Sequence, residues 1–248
     1  MRNIYRSALR AWRLGLFHLI RRRFFLLFLF LLSSIVVYPY AESSGFGYYT
    51  FRVLMGGVIL LTVYAVTFSR GMLFLVIALA IPSFLQHTFV HPHDAGMVPE
   101  LSRAISLAFY VVVIFIIFRH VFENDKPNSE TMFGALCIYL LIGFAFSSAY
   151  MVIAGFQPHA FNLSPAVNLH TVPDRFDFVY FSFGTLTELG APGITAVVPV
   201  ARSISLLESI IGILYLAILI SRLNHTVTTA ARDRKPRDRR PIADSHEM

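Results

Sequence analysis

The stretch "DFVYFSFGTLTELGAPGITAVVPVARSISLLESIIGILYLAILISRL", residues 177–223, decides how the rest of the chain is read. It opens with an apolar segment, Asp177–Thr187, far too short to cross a hydrocarbon core that needs ~20 helical residues. A carboxylate, two glycines and a proline follow in "ELGAPG", and then Ser203–Leu223 runs apolar at full spanning length. Asp177 suits a helix N-cap, since a carboxylate there accepts from the free backbone N–H groups of the first turn. The pattern predicts a half-helix, a loop and a spanning helix. Irregular backbone of this kind is tolerated at membrane depth only where protein or a water-filled cavity surrounds it.

Composition supports lipid as the solvent. Of 248 residues, 56% are hydrophobic and 14% charged, against about 25% charged in a soluble domain. Five further apolar runs precede the half-helix: Phe24–Tyr38, Val53–Phe68, Met72–Phe89, Ile105–Phe118 and Met132–Ala154. With Ser203–Leu223 they predict six spans, some needing a flanking turn to reach full length. Six spans put both termini and the loops bearing Arg70, Arg119 and Lys126 on one side. Of the 21 basic residues, only Arg52, Arg103, Arg175 and Arg202 then fall on the other. The positive-inside rule makes both termini cytoplasmic. The N-terminal basic region is too long for a signal peptide, and Pro39 stands where its cleavage motif needs a small residue. Cys137 is the one cysteine, so no disulfide framework exists within the chain.

Four regions follow. Residues 1–23 space their apolar positions between arginines and are expected to form a basic amphipathic segment on the membrane surface, or a basic tail serving only topology. Residues 24–122 form a four-helix transmembrane block. The polar interruption "ENDKPNSET", Glu123–Thr131, separates it from residues 132–223, an outer helix, half-helix, loop and inner helix. Residues 224–248 are expected to be a disordered, basic cytoplasmic tail. His87, His91, His93 and Asp94 cluster in a predicted loop, where Pro92 favours a polar turn over a metal site. The fourth run lacks the regularly spaced arginines of a voltage sensor.

The parts "YFSF-TLT" (from Tyr180), Gly190, "IT" (from Ile194) and "P-ARS---LE--IG-LYLAILI-RL" (from Pro199) resemble the pore module of the potassium-channel superfamily, in particular bacterial two-helix pore domains. The resemblance covers residues 177–223 closely and extends over roughly 132–223 with the outer helix. Together with the six spans read above, this gives an expected all-α membrane protein with six transmembrane helices plus a re-entrant pore helix in a bacterial inner (plasma) membrane. The resemblance implies assembly as a homotetramer. It also implies an ion-selectivity filter at Thr187, Glu188, Leu189, Gly190, Ala191, Pro192 and Gly193. The family's Thr-Val-Gly-Tyr-Gly-Asp falls on Glu188–Gly193, where Gly190 alone agrees. Pro192 stands where the family has a second glycine, whose backbone conformation proline cannot adopt. Ala191 removes the family's bracing tyrosine. Potassium selectivity is therefore not implied.

Three residues carry alternative readings. Glu188 falls where the family places a hydroxyl, so four copies would make a carboxylate ring of the kind found in cation-conducting pores; otherwise it turns behind the loop and accepts hydrogen bonds there. Glu208 matches an acidic residue behind the family's filter and is expected to support the filter through a buried bond. Gly212 matches a gating-hinge glycine, with close helix packing as the plain alternative. No nucleophile elbow, phosphate loop or HExxH pair is present, so an enzyme is not expected. Neither is a cofactor, a resident metal or a nucleic-acid partner. The expected partners are a permeant monovalent or divalent cation and membrane lipids. The leading expectation is passive cation conduction. Its alternatives are a non-conducting, channel-derived scaffold or sensor, and a potassium channel with an atypical filter.

Overall fold

The computed structural model describes residues 23–43, 45–65, 70–89, 97–123, 129–166, 168 and 171–233. The chain is mostly helical: α1 (Arg23–Ser43), α2 (Gly45–Ala65), α3 (Arg70–Phe89), α4 (Met97–Glu123), α5 (Ser129–Phe156), β1 (Phe161–Leu163), α6 (Arg175–Leu186), β2 (Ile194–Ala196) and α7 (Pro199–Asp233). The amphipathic N-terminal segment up to Arg22 and the tail beyond Asp233 lie outside the described residues, as do the side chains of His87, His91, His93 and Asp94. Helix α7 continues to Asp233, past Leu223 where the sequence placed the start of a disordered tail.

Among the described residues, three helical segments are long and apolar enough to cross a membrane: Pro99–Glu123, Glu130–Phe156 and Pro199–Ser221. The apolar described parts of the first three helices are shorter, at Arg23–Val37, Gly56–Ala65 and Phe74–Leu85. These helices are compatible with a membrane, where a backbone must satisfy its own polar groups and an α-helix does so within one segment.

Helix α5 is the centre of the molecule, packing against α1, α4, α6 and α7. Buried residues on α1 (Phe24, Leu27, Leu31) and α4 (Phe109, Val113, Ile116, Ile117, Val121) recur every three or four positions. That spacing gathers them on one face of each helix. They join Ala135, Ile138, Leu141, Ile142 and Ala145 of α5 in one core. Helix α7 is the least covered of the three long apolar helices, and Leu206, Leu207, Ile210, Ile213 and Leu214 lie exposed along it. A second core lies beneath the loops joining α5, α6 and α7. It holds Tyr150, Phe161, Phe178, Phe181 and Ile194, with rings meeting edge to face at 5.0–5.5 Å.

Two features depart from the sequence reading. The chain is not purely helical: β1 and β2 pair antiparallel, Phe161 opposite Ala196 and Leu163 opposite Ile194. These strands are three residues each and form only because the second core brings them together. The N-cap of α6 is Asp174 rather than Asp177. Asp177 takes the third helical position, and the two residues close a reciprocal box. Asp177 N–H donates to Asp174 Oδ1 and Asp174 N–H to Asp177 Oδ2, both at 2.8 Å. Two carboxylates at a helix N-terminus satisfy its free donors and complement its positive end.

Candidate functional site at the α6–β2 loop

Helix α6 has 12 residues, about 18 Å of rise, and ends against a loop, Thr187–Gly193. Each carbonyl of its last turn already has a protein donor. Phe183 O accepts from Thr187 N–H and Thr187 Oγ1. Gly184 O accepts from Gly190 N–H at 3.0 Å, and Thr185 O accepts from Glu188 N–H at 3.2 Å and Ser209 Oγ at 3.4 Å. Leu186 O accepts from Tyr139 Oη at 3.3 Å. The helix terminus is thus closed by the loop, α5 and α7.

The loop turns by alternating its backbone hand. Thr187 has φ −94°, Glu188 +59° and Gly190 +77°, while Leu189 keeps a negative φ. Alternation between right- and left-handed conformations directs successive N–H groups to one side. Here the N–H groups of Thr187, Glu188 and Gly190 all return to α6. Glu188 occupies the left-handed position just past the helix end, which glycine normally takes because any Cβ is strained there. A side chain at such a position is strained. That carboxylate is exposed and accepts no hydrogen bond among the described residues. Leu189 is 85% exposed beside it.

Gly184 lets the loop return so closely. A Cβ at residue 184 would lie 2.6 Å from Gly190 O and 2.9 Å from Gly190 C. Gly212 is also a contact glycine: a Cβ there would lie 2.4 Å from Leu186 O. This is the close-packing role weighed for Gly212, seating α7 against the end of α6. At its far end the loop is held by Gly193 O, which accepts from Ser164 N–H at 2.8 Å and Asn168 Nδ2 at 2.7 Å. Ala191 is partly buried against the second core, and Pro192 is exposed.

Glu208 lies behind the loop, fully buried at 0% exposure. Tyr150 Oη is 2.5 Å from its Oε2, and Ser182 Oγ is 2.5 Å from its Oε1. The expected buried bond is therefore present and joins three helices. Sequence reasoning located Glu208 but missed Tyr150, Ser182, Tyr139 and Asn168. Hydroxyls inside apolar helices were the available signal, since a buried polar atom needs a partner. No group of three or more metal-ligating side chains occurs among the described residues.

No family model matches the chain, and neither a curated protein nor a solved structure matches it.

Proposed function

We propose that the chain is one subunit of a homotetrameric cation channel, with Thr187–Gly193 as its pore-lining loop. The observation that carries this reading is the exposed, unbonded carboxylate of Glu188, held at a strained left-handed position on a loop clamped at both ends. The closed helix terminus adds to it. With the last carbonyls of α6 accepting from protein donors, the Glu188 carboxylate is an exposed negative group at this end. One loop cannot enclose a pathway, so several copies must close around an axis. The exposed apolar side of α7 offers a surface on which copies and lipid can pack. Four Glu188 carboxylates around that axis attract a cation, monovalent or divalent, as acidic rings do in other pores.

The topology proposed with this function has six spans and both termini cytoplasmic in a bacterial inner membrane. The backbone lengths of α1, α2 and α3, 20 or 21 residues each, support the three additional spans, because a helix rises about 1.5 Å per residue. The resemblance of residues 177–223 to potassium-channel pore modules supports the tetramer.

Ion flux into liposomes containing the purified full chain tests the reading. Potassium, sodium and calcium are compared, and Glu188→Gln is expected to lower conductance and change ion preference. Absence of flux above empty vesicles, across pH and voltage, would replace the channel by the non-conducting scaffold. Flux strongly selective for potassium and unchanged in Glu188→Gln would point instead to a potassium filter of another geometry.

A further inference from the structure

Glu208 makes contacts that can be counted in protons. Three close oxygen pairs run through it: Tyr150 Oη to Glu208 Oε2 at 2.5 Å, Glu208 Oε1 to Ser182 Oγ at 2.5 Å, and Ser182 Oγ to Gly143 O at 2.7 Å. Each pair at such a distance needs one hydrogen between its oxygens. Tyrosine and serine supply one each, and the Gly143 carbonyl supplies none. An ionised Glu208 would leave either the Ser182–Gly143 pair or the Ser182–Glu208 pair as two bare oxygens face to face.

We propose that Glu208 carries a proton and acts, as a neutral acid, as the positioning residue that fastens α5 and α6 to α7 behind the loop. Its Oε1–H donates to Ser182 Oγ, the Ser182 hydroxyl donates to Gly143 O, and Tyr150 O–H donates to Oε2. Every hydrogen and every contact is then used. The surroundings agree with this arrangement. Glu208 has no exposed surface and forms no ion pair among the described residues. An unpaired charge so placed would meet a large desolvation cost. The link reaches the loop through a short path. Ser182 lies two residues before Gly184, whose carbonyl accepts from Gly190 N–H, and Ser209, next to Glu208 on α7, donates to Thr185 O.

The positioning role rests on the channel reading, while the proton does not, and the experiment separates them. Infrared difference spectra of the full chain in lipid, unsubstituted minus Glu208→Gln, are taken in H2O and D2O. The expected result is a carbonyl band of a protonated carboxylic acid that shifts on deuteration and is missing from Glu208→Gln. Tyr150→Phe, which removes one donor to the same carbonyl, should move that band and so assigns it even if Glu208→Gln does not assemble. Ionised-carboxylate bands in its place would overturn the proposal.

In liposomes, Glu208→Gln is expected to keep flux and ion preference. Its amide accepts from Tyr150 and donates to Ser182 as the neutral acid does. Glu208→Ala and Ser182→Ala are expected to alter ion preference by loosening the loop. Loss of flux in an assembled Glu208→Gln protein, or unchanged ion preference in both alanine variants, would overturn the positioning role. If the unsubstituted protein itself carries no ions, the channel reading falls and the spectra still decide the proton.

Discussion

Helices α1–α4 and α5–α7 use the same polar residue types to opposite ends. In the first block, four hydroxyls among the described residues bond within their own helix: Ser33 to Phe30 O, Ser34 to Leu31 O, Thr62 to Val58 O and Ser83 to Leu79 O. Two ion pairs among the described residues, Glu100 with Arg103 and Arg119 with Glu123, also stay within α4. In the second block Ser205 and Thr187 still return to their own helix, but other bonds cross between elements: Tyr139 to Leu186 O, Tyr150 and Ser182 to Glu208, Ser209 to Thr185 O, and Tyr215 to Ala135 O. A hydroxyl that returns to its own helix hides its polarity but places no neighbour. One that crosses to another element fixes a distance and a direction. The crossing bonds fix distances and directions within the second block, which contains the loop.

The largest expected effect breaks the second block directly. Gly184→Ala puts a methyl group 2.6 Å from a backbone oxygen that cannot swing aside, and overpacking of this kind costs up to about 3 kcal/mol. Unfolding in detergent should show that loss together with loss of assembly. A methyl-tolerant Gly184→Ala, stable and conducting, would mean that the loop does not return to α6 as described.

Matched hydroxyl deletions sharpen the comparison next. Ser182→Ala leaves a buried carboxyl and a carbonyl short of a partner and should cost about 2 kcal/mol. Ser34→Ala removes a bond that α1 makes only to itself and should cost no more than ~0.5 kcal/mol, because hydroxyl back-bonding adds little to a helix. Equal losses in the two variants would remove the distinction between the blocks.

A further effect, smaller than that of Ser182→Ala, has the opposite sign. Glu188→Gly relieves a side chain held at φ +59° and should stabilise the fold by about 1 kcal/mol. It also deletes the carboxylate, so thermal stability should rise while conductance falls. A rise in both would show that Glu188 is tolerated at this position and not used there.

Much of this site was legible beforehand. The short apolar segment before "ELGAPG" predicted a half-length helix ending in a loop, and α6 ends at Leu186, one residue short of the expected Thr187. Glu208 and Gly212 were found by resemblance. The capping pair was half legible: Asp177 was chosen as the N-cap because an apolar run begins there, but Asp174 is equally suited and only the fold of the preceding loop selects it. Tyr150 and Asn168 were out of reach, because they are 58 and 25 residues from the groups they bind. Strands β1 and β2 were equally hidden, since three residues show no periodicity without their partner.

What the sequence determined by itself was the order of elements and the solvent they suit. Both follow from local quantities: the length of apolar runs, the residues that interrupt them and the placement of arginine. What only the tertiary structure decided was the environment of each acid. Glu188 and Glu208 are the same residue 20 positions apart, both beside apolar neighbours. One is exposed at a strained turn with its carboxylate open, and the other is enclosed by Tyr150 and Ser182 from two other helices. The chemistry of a carboxyl depends on what surrounds it in space, and chain folding alone brings those groups together.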